Sequence, residues 1–250
     1  MTAAPHSADR FQHERGTPTS PIRTFHPRRS PLGLARTEAL DRLWPRYGFS
    51  VHDPALGSAP LREDGTLDTE RLFGRTAPLV LEIGSGMGEA VAAMAAADPR
   101  RDYLAVEAHL PGIAHLLTLL DGGEHPNIRI AHGDGLDLAR TMRPSSLDAV
   151  HVFFPDPWPK VRHHKRRIVS APHVALLASL LRPGGVLHVA TDWAPYAEVM
   201  LGVIADEPSL HNPHAGPAPR PAHRPVTKFE RRGIELGHEI VDILAVRAEG

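Results

Sequence analysis

Short apolar runs alternate with longer stretches of helical apolar spacing from about residue 78 onward. The first unit is a predicted strand over residues 79–83, a glycine-rich turn over 84–88 and an alanine-rich helix over 89–97. Alternation of this kind is typical of a parallel sheet covered by helices on both faces. Further strands are predicted over residues 103–106, 128–131, 147–154 and 186–190. The helices predicted to follow them cover residues 111–120, 135–142, 171–181 and 195–205.

The pattern changes after residue 205. Residues 207–225 contain six prolines and three histidines, a composition that disfavours regular structure. Two strand-like stretches follow, over residues 228–236 and 239–247, separated by Gly237 and His238. We therefore predict an α/β fold with a mostly parallel, doubly wound sheet and a C-terminal β-hairpin.

The first 77 residues differ from the rest in composition. Residues 1–21 are rich in Pro, Ser, Thr, His and Ala, and they carry too little apolar surface to offset the entropy of ordering, so a disordered tail is predicted. Residues 22–77 are interpreted as a basic N-terminal arm and lead-in. Residues 78–250 are interpreted as the main domain.

Composition excludes several classes of protein. The chain has no cysteine, which rules out disulfides, thiol nucleophiles and cysteine metal ligands. No apolar stretch approaches the ~20 residues that span a bilayer, and the N-terminus lacks the apolar core of a signal peptide. A cytoplasmic protein with no membrane partner is expected. The oligomeric state, monomer or homodimer, stays undetermined.

The net charge of −1 excludes a uniformly basic nucleic-acid binder but allows local basic patches. Five of the eight residues from 160 to 167 are Lys or Arg, and none is acidic. Charge runs are commonly solvated loops, but this one directly follows Asp156, a candidate active-site residue described below, which favours contact with phosphates. The candidates for contact with such a polyanion are Arg28, Arg29, Arg162, His163, His164, Lys165, Arg166 and Arg167.

The turn after the first strand is the first candidate binding site. Gly84, Gly86 and Gly88 let the backbone approach a ligand at the N-terminus of the next helix. The preceding Glu82 would repel a pyrophosphate but suits an ammonium or a sulfonium, and S-adenosylmethionine carries both groups. Glycines at this spacing are a weak signal when taken alone.

Two further acids follow the next two strands. Glu107 lies 19 residues after Gly88, close to the ~20 expected for an acid that accepts hydrogen bonds from ribose hydroxyls. Asp134 follows the third strand and is able to accept from the exocyclic amine of adenine. The alternative for both residues is an ordinary role in a turn or helix cap.

A rigid acidic segment leaves the fourth strand. Residues 153–158 read Phe-Phe-Pro-Asp-Pro-Trp, so Asp156 lies between two prolines in a stiff, extended turn. This turn is expected at the same sheet edge as the glycine turn. Asp156 is therefore a candidate catalytic residue.

Taken together, these motifs resemble the bacterial tRNA (guanine-N7-)-methyltransferase family. The likeness runs from about residue 24 to residue 247, and the set of motifs in this order is specific. The residues that carry it are 81–84 (Leu-Glu-Ile-Gly), 153–158, 162–168, 190–193 (Ala-Thr-Asp-Trp) and 224–230.

The resemblance implies a Rossmann-like, class I methyltransferase fold. It implies methyl transfer from S-adenosylmethionine to N7 of the variable-loop guanosine at tRNA position 46. It also places Glu82, Glu107, Asp134 and Asp156 against the cofactor, with Asp156 as the catalytic residue. By the same pattern, the residues that meet the substrate are Lys160, Asp192, Thr227, Lys228, Phe229 and Glu230.

The chemistry of the implied reaction limits what the protein must supply. Guanine N7 has a lone pair and no proton, so direct displacement needs no obligatory base, and positioning and electrostatics carry the catalysis. A carboxylate near the imidazole ring stabilises its developing positive charge, which is the role expected of Asp156. Asp192 and Glu230 are candidates to accept from guanine N1–H and N2. A helix N-cap is the alternative for Asp192.

Other interpretations stay open at this point. An S-adenosylmethionine-dependent enzyme acting on another RNA or on a small molecule, and a non-catalytic nucleotide-binding RNA chaperone, both predict basic patches.

Trp158 and Trp193 are expected in the core rather than stacked on a base. No metal is expected, because His211, His214 and His223 lie in a proline-rich stretch with no paired acid.

Overall fold

Eight strands form one sheet in the part of the chain that the structure, a computed structural model, describes: residues 22–25 and 31–249. The strands are β1 (Gly48–Ser50), β2 (Leu79–Ile83), β3 (Asp102–Glu107), β4 (Ile128–His132), β5 (Leu147–Phe153), β6 (Leu181–Thr191), β7 (Leu210–His211) and β8 (Val241–Arg247). Their order across the sheet is β1-β4-β3-β2-β5-β6-β8-β7. Neighbouring strands are parallel, except that β8 runs antiparallel to both β6 and β7.

Helices cover both faces of the sheet. They are α1 (Leu34–Tyr47), α2 (Thr69–Phe73), α3 (Glu89–Ala97), α4 (Leu110–Leu119), α5 (Gly135–Arg140), α6 (Ala171–Leu180), α7 (Ala194–Ala205) and α8 (Lys228–Glu235), with 3₁₀ turns at Pro54–Leu56 and Val161–Arg166. Successive strand residues point to opposite faces, so Leu81 belongs to one buried apolar cluster and Val80 to the other. The doubly wound α/β fold predicted from the alternation is confirmed.

The sheet topology brings the candidate motifs to one edge. Parallel strands β2, β3, β4 and β5 end at the same edge of the sheet, and the chain reverses its direction of progress across the sheet between β2 and β5. Ligands of doubly wound sheets bind outside the carboxyl ends of the strands at such a switch point. The glycine turn after β2 and the Asp156 segment after β5 therefore face the same space.

Strand β6 begins earlier than the pattern predicts. Residues 182–185 (Arg-Pro-Gly-Gly) are typical of a turn before a strand, but β6 runs from Leu181 to Thr191. Its pairing with β5 shifts register between Leu147 and Ala149, and Gly184 adopts a left-handed φ of 73°. The turn residues are thus accommodated as an irregularity inside the strand.

The predicted C-terminal antiparallel hairpin is present, but its first arm is not the predicted one. An antiparallel pairing is present, but β8 pairs with β6 and β7, and the predicted first arm, residues 228–236, forms helix α8. The side chain of Thr227 caps this helix by accepting a hydrogen bond from the backbone N–H of Glu230 at 3.2 Å. Thr-x-x-Glu is a helix-capping signature, and in this sequence it outweighs the strand-like alternation.

The N-terminal lead-in belongs to the same fold. β1 pairs with β4 at the edge of the sheet, and Leu40, Trp44 and Tyr47 of α1 are buried in the cluster that includes Val80. The boundary predicted at residue 78 therefore does not separate two units in the structure. The predicted tail 1–21, together with Arg28 and Arg29, lies outside the described residues.

Each helix between residues 31 and 249 is too short or too polar to cross a lipid bilayer.

Candidate active site

A cavity of about 930 Å³ opens at the carboxyl ends of the central strands. This volume is in the range of small-molecule and cofactor sites. Its walls are the glycine turn, the ends of β2 and β3, the Asp156 segment and the N-terminal end of α8. Of the predicted site residues, the cavity is lined by Glu82, Gly84, Gly86, Gly88, Glu107, Asp156, Asp192, Thr227, Lys228 and Phe229.

The glycine turn has a backbone that other residues rarely adopt. Gly84, Gly86 and Gly88 have φ values of 74°, 56° and 76°, in the left-handed region. The turn also requires glycine at position 112 on α4, because a Cβ atom there would lie 2.1 Å from the Gly86 carbonyl oxygen. Gly112 lets α4 approach the turn closely, a nonlocal contact for which the sequence motif gives no signal.

Glu82 is a buried carboxyl in the cavity wall. Its side chain is 3% exposed, and its Oε2 atom accepts no hydrogen bond from any residue that the structure describes. Burial, together with the nearby charge of Glu107, raises the pKa of Glu82 to about 8. A cationic ligand group is the natural partner of such a carboxyl, so the ammonium of S-adenosylmethionine fits the residues present.

Glu107 ties the end of β3 to the glycine turn. Its Oε2 atom accepts from the Gly86 backbone N–H and its Oε1 atom from the His109 backbone N–H, both at 2.7 Å. Burial raises the pKa of Glu107, although these hydrogen bonds act in the opposite direction. Because each carboxylate oxygen has a second lone pair, Glu107 is also able to accept from a ribose hydroxyl.

Asp134 is the N-cap of α5. Its Oδ1 atom accepts from the Leu136 backbone N–H at 2.8 Å, as the cap alternative predicts. Asp134 is not part of the cavity wall, but its neighbours Gly133 and Gly135 are. Contact between Asp134 and a cofactor stays a prediction.

The Asp156 segment is fixed at both ends by strained or buried residues. Phe154 and Trp158 have left-handed φ values of 49° and 45°, which are uncommon for bulky residues and occur where the surrounding structure enforces them. The Phe154 backbone N–H donates to the Ala190 carbonyl at 2.8 Å, and the Trp158 indole N–H donates to the Thr24 carbonyl at 3.1 Å. Asp156 is held between these anchors in the cavity wall.

The two tryptophans have different environments. Trp158 is 3% exposed, so its predicted place in the core is confirmed, whereas Trp193 is 41% exposed and lines the cavity. Trp193, not Asp192, is the N-cap residue of α7. Asp192 instead lies 3.1 Å from His238 Nδ1 and faces the cavity, so the helix-cap alternative is wrong.

The N-terminal end of α8 forms one rim of the cavity. The Lys228 backbone N–H donates to Glu89 Oε2 at 2.8 Å. Phe229 is 59% exposed and packs edge-to-face on Phe154, with ring centroids 5.3 Å apart. Arg36 and Arg232, which are not among the predicted site residues, add positive charge to the cavity wall.

Glu230 does not face the cavity, contrary to the prediction that it contacts guanine. It is 1% exposed, and both of its carboxylate oxygens accept from Arg224, at 2.7 and 2.9 Å. Arg224 is equally buried and also donates to Asp242 at 2.7 and 2.8 Å. A buried carboxylate with both oxygens bound to a guanidinium has a structural role, which is to fix α8 to β8.

The basic run, residues 160–167, is partly exposed to solvent and partly buried. Arg162 and Lys165 are exposed, and Lys160 is exposed but lies outside the cavity wall. Arg166 stacks 4.8 Å from the Trp158 ring centroid. Arg167 is 6% exposed, donates to the Pro157 carbonyl at 2.9 Å and lies over the Tyr196 ring, so its side chain packs inside the protein and not toward solvent. His163 and His164 are half-buried in the same 3₁₀ turn.

The fold and the site together define a Rossmann-like, class I methyltransferase. Residues 76–243 match the family model described as "Putative methyltransferase". The 16S rRNA methyltransferase KamB has the same fold, with a TM-score of 0.56 at 17% identity over 76% of this chain and 95% of that one.

Curated relatives identify the family within this class. A tRNA (guanine-N(7)-)-methyltransferase of Nitrosospira multiformis is 48% identical over 94% of this chain and 98% of its own length. One of the same name from Streptomyces avermitilis is 48% identical over 91% of this chain and 76% of its own length. The chain belongs to the tRNA (guanine-N(7)-)-methyltransferase family.

Proposed function

We propose that this protein transfers the methyl group of S-adenosylmethionine to N7 of a guanosine in tRNA, the variable-loop guanosine at position 46. The observation that carries the proposal is that the glycine turn with buried Glu82 and the rigid Asp156 segment line the same cavity. The names of the relatives support tRNA as the substrate and N7 as the reacting atom. A tRNA substrate also favours the cytoplasmic location expected from the sequence.

The cofactor would be held along the edge formed by β2, β3 and β4. Glu82 would pair with its ammonium, the glycine turn would receive its carboxylate end, and Glu107 would accept from the ribose hydroxyls. Asp134 is proposed to orient the adenine from behind Gly133 and Gly135, which line the cavity. When bound, S-adenosylmethionine supplies an electrophilic methyl group on a sulfonium.

Asp156 is proposed to act on charge rather than on a proton. The N7 lone pair forms the new N–C bond as the C–S bond breaks, so positive charge leaves sulfur and appears on the guanine imidazole ring. A carboxylate fixed beside that ring lowers the energy of the transition state without having to reorient. The left-handed residues at both ends of the segment supply this rigidity.

The opposite wall of the cavity would hold the base. Asp192 is proposed to accept from guanine N1–H and N2, while Thr227 and the Lys228 side chain lie at the rim as further polar partners. Trp193 and Phe229, both partly exposed, offer flat apolar surfaces against which an unstacked base packs. Glu230 supports this wall through Arg224 and does not bind the base.

Positive charge around the cavity mouth is proposed to bind the tRNA backbone. Arg36 and Arg232 contribute from the wall, and Arg162 and Lys165 from the 3₁₀ turn that follows the Asp156 segment. Lys160, His163, His164 and Arg166 are close in sequence and are proposed to assist. Arg28 and Arg29 are likewise proposed to contact the tRNA backbone.

The test is methyl transfer to unmodified tRNA with labelled S-adenosylmethionine, followed by digestion to nucleosides. The expected product is 7-methylguanosine, and a tRNA with adenosine in place of the position 46 guanosine should accept no label. Asp156→Ala is expected to lose turnover but to keep most of its affinity for tRNA, because a carboxylate adds nothing to polyanion binding. Label on another base or on a small molecule, or tRNA binding without transfer, would contradict the proposal.

A further inference from the structure

Three histidine rings meet between the sheet and residues 212–225 of the proline-rich segment. His151 on β5 and His188 on β6 are register partners, so both side chains project from the same face of the sheet. His223, in the proline-rich segment, packs against both, with ring centroids 5.9 and 5.6 Å away. One ring nitrogen from each of the three residues lies within 4.8 Å of the other two.

The hydrogen bond between His188 and Asp242 determines which ring nitrogen of His188 carries the lone pair. His188 Nε2 lies 2.7 Å from Asp242 Oδ1, and because a carboxylate only accepts, the proton resides on Nε2 and the lone pair on Nδ1. The Nδ1 atoms of His188 and His151 are buried and form no hydrogen bond with any residue that the structure describes. Burial of a polar atom without a partner is unfavourable, and a bound ion would satisfy both nitrogens.

Neutral imidazole with a lone pair on one ring nitrogen is the form of histidine that binds metals. A histidine that donates to a carboxylate through one nitrogen and offers the other is the usual arrangement around protein-bound zinc.

We propose that His151, His188 and His223 bind a Zn²⁺ ion, with water as the fourth ligand. Neutral imidazole nitrogens suit Zn²⁺, and tetrahedral Zn–N bonds of ~2.0–2.1 Å bring ligand nitrogens to about 3.4 Å from one another. The three nitrogens lie within 4.8 Å of one another, so the side chains would have to rotate to bring them to that separation. His223 is exposed to solvent and provides the entry path.

The ion would fasten the proline-rich segment to the sheet. His223 is next to Arg224, which is already held by Asp242 and Glu230, and the segment continues directly into Thr227, the cap of α8. Zn²⁺ would thus attach the proline-rich segment to the sheet at His223, and the ion pairs of Arg224 attach it at the next residue. This role concerns the architecture beside the cavity and does not depend on the proposed methyl transfer.

The test uses the full chain without a histidine tag, treated with a chelator and titrated with Co²⁺, which shows visible absorption bands when bound in tetrahedral geometry. The wild type is expected to bind one Co²⁺ with these bands, and Zn²⁺ should displace it. His223→Ala removes an exposed ligand and should weaken this binding at least tenfold. His214→Ala, an exposed histidine of the same segment outside the cluster, is the matched control and should bind as the wild type does.

The chain has 17 histidines, so the variants distinguish this site from others. Absence of tetrahedral bands in the wild type, or bands undiminished in His223→Ala, would overturn the proposal. Zn²⁺ should also raise the melting temperature of the wild type and of His214→Ala but not that of His223→Ala. No difference between the three proteins in this shift would refute the fastening role, and circular dichroism checks that each variant is folded.

Discussion

The backbone N–H of Lys228 donates a hydrogen bond to the Oε2 atom of Glu89 at 2.8 Å, joining residues that lie 139 positions apart. Glu89 is the first residue of α3, directly after the glycine turn, and Lys228 is the first residue of α8. One carboxylate thus links the proposed cofactor wall to the proposed base wall. It also places negative charge at the N-terminal end of α8, where the helix dipole favours it.

Glu89→Ala is expected to loosen α8 at the cavity rim. Removal of this partly solvated hydrogen bond should cost about 1 kcal/mol of stability and raise the KM for tRNA roughly fivefold, with little change in affinity for S-adenosylmethionine. Glu89→Gln keeps an acceptor oxygen, so its KM should stay closer to that of the wild type. Steady-state kinetics with varied tRNA measure this, and equal KM values for wild type and Glu89→Ala would show that the hydrogen bond does not position α8.

Binding of S-adenosylmethionine is expected to release a proton from Glu82. Because the pKa of Glu82 is raised to about 8, the ligand-free carboxyl is protonated at pH 7, whereas a bound ammonium favours the carboxylate. The affinity for S-adenosylmethionine should therefore rise with pH toward 8. If one proton is released on binding, the rise is up to about tenfold per pH unit. Calorimetry at pH 7 in two buffers of different ionisation enthalpy measures the number of protons released on binding. Glu82→Gln should release one proton fewer than the wild type.

The same group affects the stability of the ligand-free protein. A carboxyl whose folded-state pKa is raised contributes its full stability below its unfolded pKa and loses it as pH rises through the folded value of about 8. Glu82→Gln should therefore melt close to the wild type at pH 4.5 and above it at pH 8. A melting-temperature difference that does not change between these pH values would contradict the assignment.

Removal of the Arg224 guanidinium is expected to be strongly destabilising. Arg224→Ala leaves the carboxylates of Glu230 and Asp242 buried without their partner, a change that typically costs about 3–5 kcal/mol. Arg231→Ala, an exposed position on α8, should cost less than about 0.5 kcal/mol. Urea unfolding measures both, and similar free energies of unfolding for the two variants would show that the ion pairs do not stabilise the fold.

The exposed and buried parts of the basic run should respond differently to substitution. Arg162→Ala with Lys165→Ala is expected to weaken tRNA binding and to reduce the slope of log affinity against log salt by roughly 0.7 to 0.9 for each phosphate that is no longer neutralised. Arg167→Ala should leave this slope unchanged and lower stability, because its side chain packs on Tyr196. A slope that falls only with Arg167→Ala would reverse this division.

The parts of the fold that sequence predicts best are those fixed by local pattern. Apolar alternation locates β2 to β5 and the helices between them, and two prolines around Asp156 predict a rigid turn that faces the glycine turn. Residues 228–236 alternate as a strand does, yet they form α8, because the Thr-x-x-Glu cap decides their structure. Where two local signals compete, the alternation alone is therefore a poor guide.

Other features depend on contacts that no local pattern reveals. Glu230, predicted to meet the substrate, is instead buried and paired with Arg224, which also pairs with Asp242 once α8 and β8 pack together. His223 is close in sequence to His211 and His214, whereas its partners in the fold lie on β5 and β6. The burial of Arg167 likewise follows from its contact with Tyr196 on α7, which a run of basic residues does not predict.

N7 of guanosine in tRNA is proposed to attack the methyl group, and a tRNA that lacks this nitrogen tests the proposal. A tRNA with 7-deazaguanosine at position 46 keeps the Watson–Crick edge proposed to meet Asp192 but has a carbon in place of the nucleophilic lone pair. It is expected to bind with near-normal affinity and to accept no methyl group from S-adenosylmethionine. Methylation of this tRNA at the exocyclic N2, which would require a base to remove a proton, would contradict the account.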